Sequence, residues 1–279
     1  MSAGSLAAGG AASNGGLHVA EWGDGEPLLA LHGFTGSCES WRPFRDAWPG
    51  MRLLAPDLPG HGRSLDVPAT IPATVEALLA LLDARGLARV ALLGYSMGGR
   101  IALRLALQAP ERISALIVES ASPGIADAAA RRDRVAADRA LADRLERDGI
   151  AAFVDHWQSL SLWRSQQALP AQVQASLRVQ RLANDPAGLA RSLREAGAGV
   201  DAPVLEALVD LACPALFIAG ALDARYCDHA SAMAARAPGG RAARIAQAGH
   251  AAHLEQPEAF RRVVAESLAS GEQTERSDA

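Results

Sequence analysis

The stretch LLGYSMGGR, residues 92–100, sets a serine hydroxyl between two glycines at the end of an apolar run. Gly94 stands two places before Ser96, Gly98 stands two places after it, and Gly99 and Arg100 follow. A Gly-x-Ser-x-Gly turn between a strand and a helix holds its serine in a strained backbone conformation, and bulky side chains two positions away would collide with it. The same turn lifts the hydroxyl above the strand ends and aims the next amide, that of Met97, at an oxygen on which negative charge develops. Such pentapeptides also occur in ordinary loops, so the flanking sequence decides. VALLGYS (90–96) has the composition of a buried strand, and GGRIALRLALQAPER (98–112) has helical periodicity.

The pattern extends outward in both directions. PLLALHG (27–33), MRLLAPD (51–57), ISALIVESA (113–121) and CPALFIAG (213–220) are further short apolar runs with strand character. TVEALLALLDARG (74–86) repeats its apolar residues at helical spacing and stops on Gly86. Strands alternating with helices of this length predict βαβ units and a parallel sheet. The alternation lapses over 124–208, where helical segments such as ADAAARRDRVAADRALADRLERDG (126–149) occur without a convincing strand. That span is expected to be a helical cap over the C-terminal edge of the sheet, the edge where open α/β sheets bind ligands. The core is expected over 17–123 and 209–268, with polar tails over 1–16 and 269–279.

A serine hydroxyl needs a base, and that base needs an acid to orient it. Beyond the run ending at 220, ALDARY (221–226) places Asp223 in the loop past a strand end. His250 follows in AQAGHAAHLEQPEAF (246–260), directly after Gly249 and ahead of the last helix. Asp210 and Asp228 are less well placed, Glu119 is the best substitute acid, and His253 is expected to pack rather than react. LHGFTGS (31–37) lets the chain turn so that the Phe34 amide faces the same point as that of Met97. DLPGHGRS (57–64) is expected to be architectural, with His61 stabilising the loop.

Bulk properties exclude several classes. Apolar residues make up 49% of 279, enough for a sizeable core, and the net charge of −4 with a pI near 6.0 gives no electrostatic reason to expect nucleic acid. No apolar run is long enough to enter and span a bilayer. Cys38, Cys213 and Cys227 make an odd count without metal-ligand spacing, which fits a reduced, cytoplasmic setting. All 27 basic residues are arginine, so a lysine Schiff base, a phosphate-binding P-loop lysine and a Ser-Lys dyad are excluded. No Gly-x-Gly-x-x-Gly occurs, and neither a cofactor nor a metal is expected.

Taken together, HGFTGSCESW (32–41), GYSMGGR (94–100), ESASPG (119–124), the Arg-rich cap helix, RLANDPAGLA (181–190), GALDARY (220–226) and GHAAHLEQPEAF (249–260) resemble one family. It is the 2-succinyl-6-hydroxy-2,4-cyclohexadiene-1-carboxylate synthases of menaquinone biosynthesis, within the α/β-hydrolase superfamily. The resemblance spans roughly 28–262. It implies an α/β-hydrolase fold: a mostly parallel sheet flanked by helices, its cap inserted after the sixth strand. It further implies a Ser96–Asp223–His250 triad, an oxyanion hole of the Phe34 and Met97 amides, and elimination of pyruvate from a small polycarboxylate without water. Arg100, Arg134 and Arg181 match the family's anion-binding arginines, Trp157 a pocket aromatic, and Tyr95 a shaper of the cavity floor. WQSLSLW (157–163) departs from the family pattern, with Ser161 at a proline and Trp163 at an aromatic position. Between 125 and 200, 11 arginines face 9 acidic residues, so most of those arginines are expected on solvated faces. Two other functions fit the same motifs: a hydrolase of an ester, thioester or C–C bond, and a non-catalytic ligand receptor.

Overall fold

β4 (Val90–Tyr95) is buried along its whole length between β2 (Glu26–Leu31) and β5 (Ile113–Glu119). Strands covered on both faces need no polar alternation, which is why these runs were legible as continuous apolar stretches. The computed structural model describes residues 14–277, so most of the expected tail over 1–16 lies outside the described residues. With β1 (Val19–Trp22), β3 (Met51–Pro56), β6 (Ala215–Gly220) and β7 (Gly240–Ile245), the sheet has seven strands in the order β1-β3-β2-β4-β5-β6-β7. β1 pairs antiparallel with β3, and all other pairings are parallel.

The two strands that the apolar runs did not reveal are the two edges. VAEW and GRAARI are half-exposed, so their sequences mix charged with apolar residues and carry no buried-run signal. The cap follows the fifth strand in chain order, which corrects the expectation of the sixth: a single antiparallel strand precedes β2 among the described residues.

One face of the sheet is covered by α1 (Ile71–Ala84), α2 (Met97–Gln108) and α6 (Ala224–Arg236), with Leu78, Leu81, Ile101, Leu105 and Met233 in a single apolar cluster. The other face packs against the 3-10 turn Cys38–Phe44 and α8 (Pro257–Ser277) through Trp41, Phe44, Phe260 and Val264. Each fully buried Leu or Phe contributes roughly 1.5–3 kcal/mol. α8 runs on to Ser277, past residue 268 where a tail was expected. Glu, Gln and Arg in that segment are good helix formers and outweigh the single Gly271.

The cap consists of α3 (Ala128–Ser159), a 3-10 turn (Ser161–Ala168), α4 (Ala171–Leu182) and α5 (Pro186–Ala196). Asp127 caps α3 by accepting from the Ala130 amide at 2.7 Å, and Gly149 (φ 79°) breaks the helix into two segments. Leu145, Phe153, Val154, Leu189 and Leu193 give the cap its own small core. Polar contacts seat it on the sheet: Asn184 Nδ2 donates to the Thr35 carbonyl at 3.0 Å, and Gln180 Nε2 to Ser40 Oγ at 2.7 Å. Among the described residues, no helix is long and apolar enough to cross a membrane.

Candidate active site

Ser96 lies between β4 and α2 with φ 51° and ψ −107°, a conformation that L-residues rarely adopt and that costs about 1–3 kcal/mol. Its amide donates to the Glu119 carbonyl at 2.8 Å, and its carbonyl accepts from the Arg100 amide at 3.1 Å, so both flanks of the turn are held. The neighbouring glycines are required sterically. A Cβ on Gly98 would stand 2.4 Å from the Leu31 carbonyl oxygen and 2.6 Å from that of His32, and one on Gly94 2.5 Å from the Gly98 carbonyl. Gly98→Ala is therefore expected to destabilise the fold by about 3 kcal/mol, read as a shift in the urea midpoint.

The structure brings together the three side chains that the sequence separates. Ser96 Oγ lies 3.1 Å from His250 Nε2, and His250 Nδ1 lies 3.0 Å from Asp223 Oδ2. A carboxylate accepts only, so Nδ1 carries the proton toward Asp223 and leaves the Nε2 lone pair facing the hydroxyl. Asp223 begins α6 directly past β6, and its Oδ1 accepts from the Tyr226 amide at 3.4 Å, which fixes the carboxylate. His250 is buried against the rings of Tyr226 (4.4 Å) and Trp163 (5.3 Å). Glu119, the substitute acid, is engaged elsewhere: its carboxylate accepts from both the amide (3.0 Å) and Nδ1 (2.8 Å) of His253. The His253 ring packs edge-on to Tyr95 at 4.6 Å, so it buttresses the strand end beside the serine.

Met97 opens α2, where no carbonyl one turn back is available to its amide. The Phe34 amide likewise has no hydrogen-bond acceptor among the described residues. The Phe34 loop is held by His32, whose Nδ1 donates to the Gly33 carbonyl (2.8 Å) and whose Nε2 accepts from the Leu58 amide (2.9 Å). His61 supports it from below, edge-on to both Phe34 (5.6 Å) and His32 (5.1 Å). Burial lowers His61 from the ordinary 6.5 to about 3, so it is neutral in the folded chain and takes up a proton only on unfolding. Stability is expected to fall as pH drops from 6.5 toward 3, at up to about 1.4 kcal/mol per pH unit. Urea melts at pH 7 and pH 5 measure that slope, and His61→Gln should flatten it.

Above Ser96 lies a cavity of about 870 Å³ between sheet and cap. Arg100, Arg134, Trp157 and Tyr95 line it, together with Arg164 and Arg225, which sequence reasoning passed over. Of the crowded trio in α3, Arg134 faces this space, and Arg131 and Arg132 do not line it. Arg134 Nε donates to both carboxylate oxygens of Asp138 at 2.9 and 3.0 Å, and burial pushes the Asp138 carboxyl above its usual value. Arg100 donates to the Ala196 carbonyl at 2.7 Å, and burial lowers its guanidinium below the ordinary value, so an arriving carboxylate is favoured there. Arg181 is placed differently from the expectation. It lines an adjoining cavity of about 450 Å³ that shares Phe34, Tyr95 and Trp163 with the first. There its guanidinium donates to Gln166 Oε1 at 3.2 Å and sits 5.3 Å from the Trp163 ring centre. Trp157 Nε1, Trp163 Nε1 and Gln166 Nε2 are buried without partners among the described residues. All three are donors, and Trp157 and Trp163 line the cavity above Ser96.

Comparison with known proteins accords with this geometry. The model of the alpha/beta hydrolase family matches residues 28–263. A Bacillus subtilis (strain 168) protein named as a candidate 2-succinyl-6-hydroxy-2,4-cyclohexadiene-1-carboxylate synthase is 38% identical over 88% of this chain and 91% of its own. The synthase of that name from Klebsiella pneumoniae (strain 342) is 36% identical over 87% and 94%. The chain belongs to this synthase family. The solved structure of MenH from S. aureus superposes with a TM-score of 0.88 at 32% identity, covering 91% of this chain and 99% of that one. A thermophilic esterase from Thermogutta terrifontis superposes at 0.79 with 27% identity, over 91% and 93%. Within the synthase family pattern, Trp163 takes the aromatic position and places its ring against His250, so the departure at 157–163 keeps an aromatic wall.

Proposed function

We propose that this protein eliminates pyruvate from 2-succinyl-5-enolpyruvyl-6-hydroxy-3-cyclohexene-1-carboxylate to give 2-succinyl-6-hydroxy-2,4-cyclohexadiene-1-carboxylate, with Ser96, His250 and Asp223 as a base relay. One observation carries the reading: the hydrogen-bonded relay opens into a cavity lined by four arginines, Arg100, Arg134, Arg164 and Arg225. The Ser96 oxygen removes the acidic proton beside the succinyl ketone while its own proton passes to His250 Nε2. The electron pair moves onto the ketone oxygen, which the Phe34 and Met97 amides receive. An oxyanion hole suited to a tetrahedral intermediate suits an enolate as well, because both gather charge on one oxygen. The dienolate then re-forms its carbonyl, the ring C–O bond breaks, and the departing enol of pyruvate takes a proton from the imidazolium. Atoms balance without water. The substrate's three carboxylates match guanidinium forks, which orient as well as attract.

The deciding assay offers purified protein the enolpyruvyl cyclohexene and follows pyruvate; p-nitrophenyl acetate is offered separately. Pyruvate release with slow ester turnover is expected. Fast ester turnover without pyruvate would replace this reading with a hydrolase acting through an acyl-serine. Arg100→Ala is expected to reduce kcat/KM by about 2–4 kcal/mol, roughly 30- to 1,000-fold, because a buried carboxylate loses its partner. Arg134→Ala should cost less, since that side chain is 42% exposed.

A further inference from the structure

We propose that His18, Cys38 and Asp57 form a binding site for a thiophilic divalent cation, with Zn²⁺ the best chemical match. The three residues lie about twenty positions apart in sequence, so no ligand spacing is visible there, yet the fold gathers them. His18 precedes β1, Cys38 opens the 3-10 turn after the Phe34 loop, and Asp57 directly follows β3. One ligand atom from each, an imidazole nitrogen, a thiol sulfur and a carboxylate oxygen, falls within 4.8 Å of the other two. Ligands around a tetrahedral zinc stand roughly 3.3–3.8 Å apart, so closure needs side-chain movements of about 1 Å. Sulfur, nitrogen and oxygen in one set suit a borderline-soft ion and disfavour Mg²⁺ or Ca²⁺.

The surroundings are those of a prepared site. His18 Nε2 is buried and has no hydrogen-bond partner among the described residues, while the His18 amide donates to Ser64 Oγ at 2.9 Å. Asp57 Oδ1 accepts from the Cys38 amide at 2.7 Å and Oδ2 from the Arg63 amide at 2.9 Å, so backbone donors fix the carboxylate as second-layer groups fix metal ligands. Cys38 is a thiol whose proton must leave for its sulfur to bind a cation. The cation replaces that proton, which leaves to solvent, and the bound sulfur becomes a thiolate. Three protein ligands leave one tetrahedral position open, as in zinc sites that keep a place for an exogenous ligand. A bound ion would tie the start of β1 and the end of β3 to the loop that carries Phe34.

The test uses the full chain after chelator treatment. Calorimetry with Zn²⁺ alone is expected to show one saturable equivalent, with a rise in the unfolding midpoint. Co²⁺ is expected to give tetrahedral visible bands and a thiolate-to-metal charge-transfer band. Cys38→Ser should abolish the charge-transfer band, and both Cys38→Ser and His18→Gln should weaken Zn²⁺ about tenfold or more. Cys213→Ser and Cys227→Ser should leave every signal unchanged. Absence of saturable binding, absence of the charge-transfer band, or equal affinity in Cys38→Ser and His18→Gln overturns the proposal. If either of those variants unfolds, a cobalt–thiolate band that survives Cys213→Ser and Cys227→Ser identifies Cys38, and its loss in either overturns the site.

Discussion

Replacing Ser96 by alanine is expected to lower kcat for pyruvate release by about 10²- to 10⁴-fold with little change in KM, the size of a positioned base. The Oγ lies 3.1 Å from His250 Nε2, within reach of a proton transfer. A fall of less than tenfold would mean that His250 takes the proton directly, or through water. Ser96→Gly should be equally inactive yet more stable, by about 1 kcal/mol: glycine adopts φ 51° without strain, and its added freedom in the unfolded chain offsets part of that gain. Rising thermal stability alongside lost turnover is a signature that a merely structural serine would not give.

Asp223→Asn is expected to reduce kcat by about 10⁴-fold while leaving the fold intact. An amide can donate to His250 Nδ1 as readily as accept from it, which stabilises the tautomer with its proton on Nε2, facing Ser96. Glu119→Gln is the contrasting variant. Its carboxylate is fully buried and accepts from two donors of His253, so losing one of those acceptors should cost about 1–3 kcal/mol of stability. Its kcat should stay within roughly tenfold, because Glu119 contacts no group of the relay except through the backbone and Tyr95. Steady-state kinetics and urea melts on the two variants separate the roles. If Glu119→Gln loses turnover and Asp223→Asn keeps it, the relay has been assigned to the wrong acid.

The comparison of sequence with structure turns on which interactions are local. The elbow was legible because its pattern is written within five residues, although only Gly94 is demanded by atoms of the turn itself, while Gly98 is demanded by the Leu31 and His32 carbonyls of the neighbouring strand end. The inner strands were legible because burial on both faces leaves an unbroken apolar run, whereas β1 and β7, at the edges, carry mixed residues and were missed. The resemblance implied a cap after the sixth strand, whereas among the described residues it follows the fifth. The C-terminal helix exceeded its expected length because Gly271 weakens a helix without stopping it.

The amino-acid order alone determined the turn, the alternating core, the cap insertion and the choice of Ser96, Asp223 and His250 as candidates, since each depends on neighbours in sequence or on family pattern. Tertiary structure alone decided which arginines share a cavity with Ser96. That choice depends on how α3 and α5 rotate over the sheet, and equal helical spacing cannot separate Arg134 from Arg131 or Arg132. It also placed Arg181 beyond Tyr95 and Trp163, and it drew His18, Cys38 and Asp57 from three distant segments to within 4.8 Å. Such groupings arise from strand order and loop packing, which no periodicity along the chain encodes.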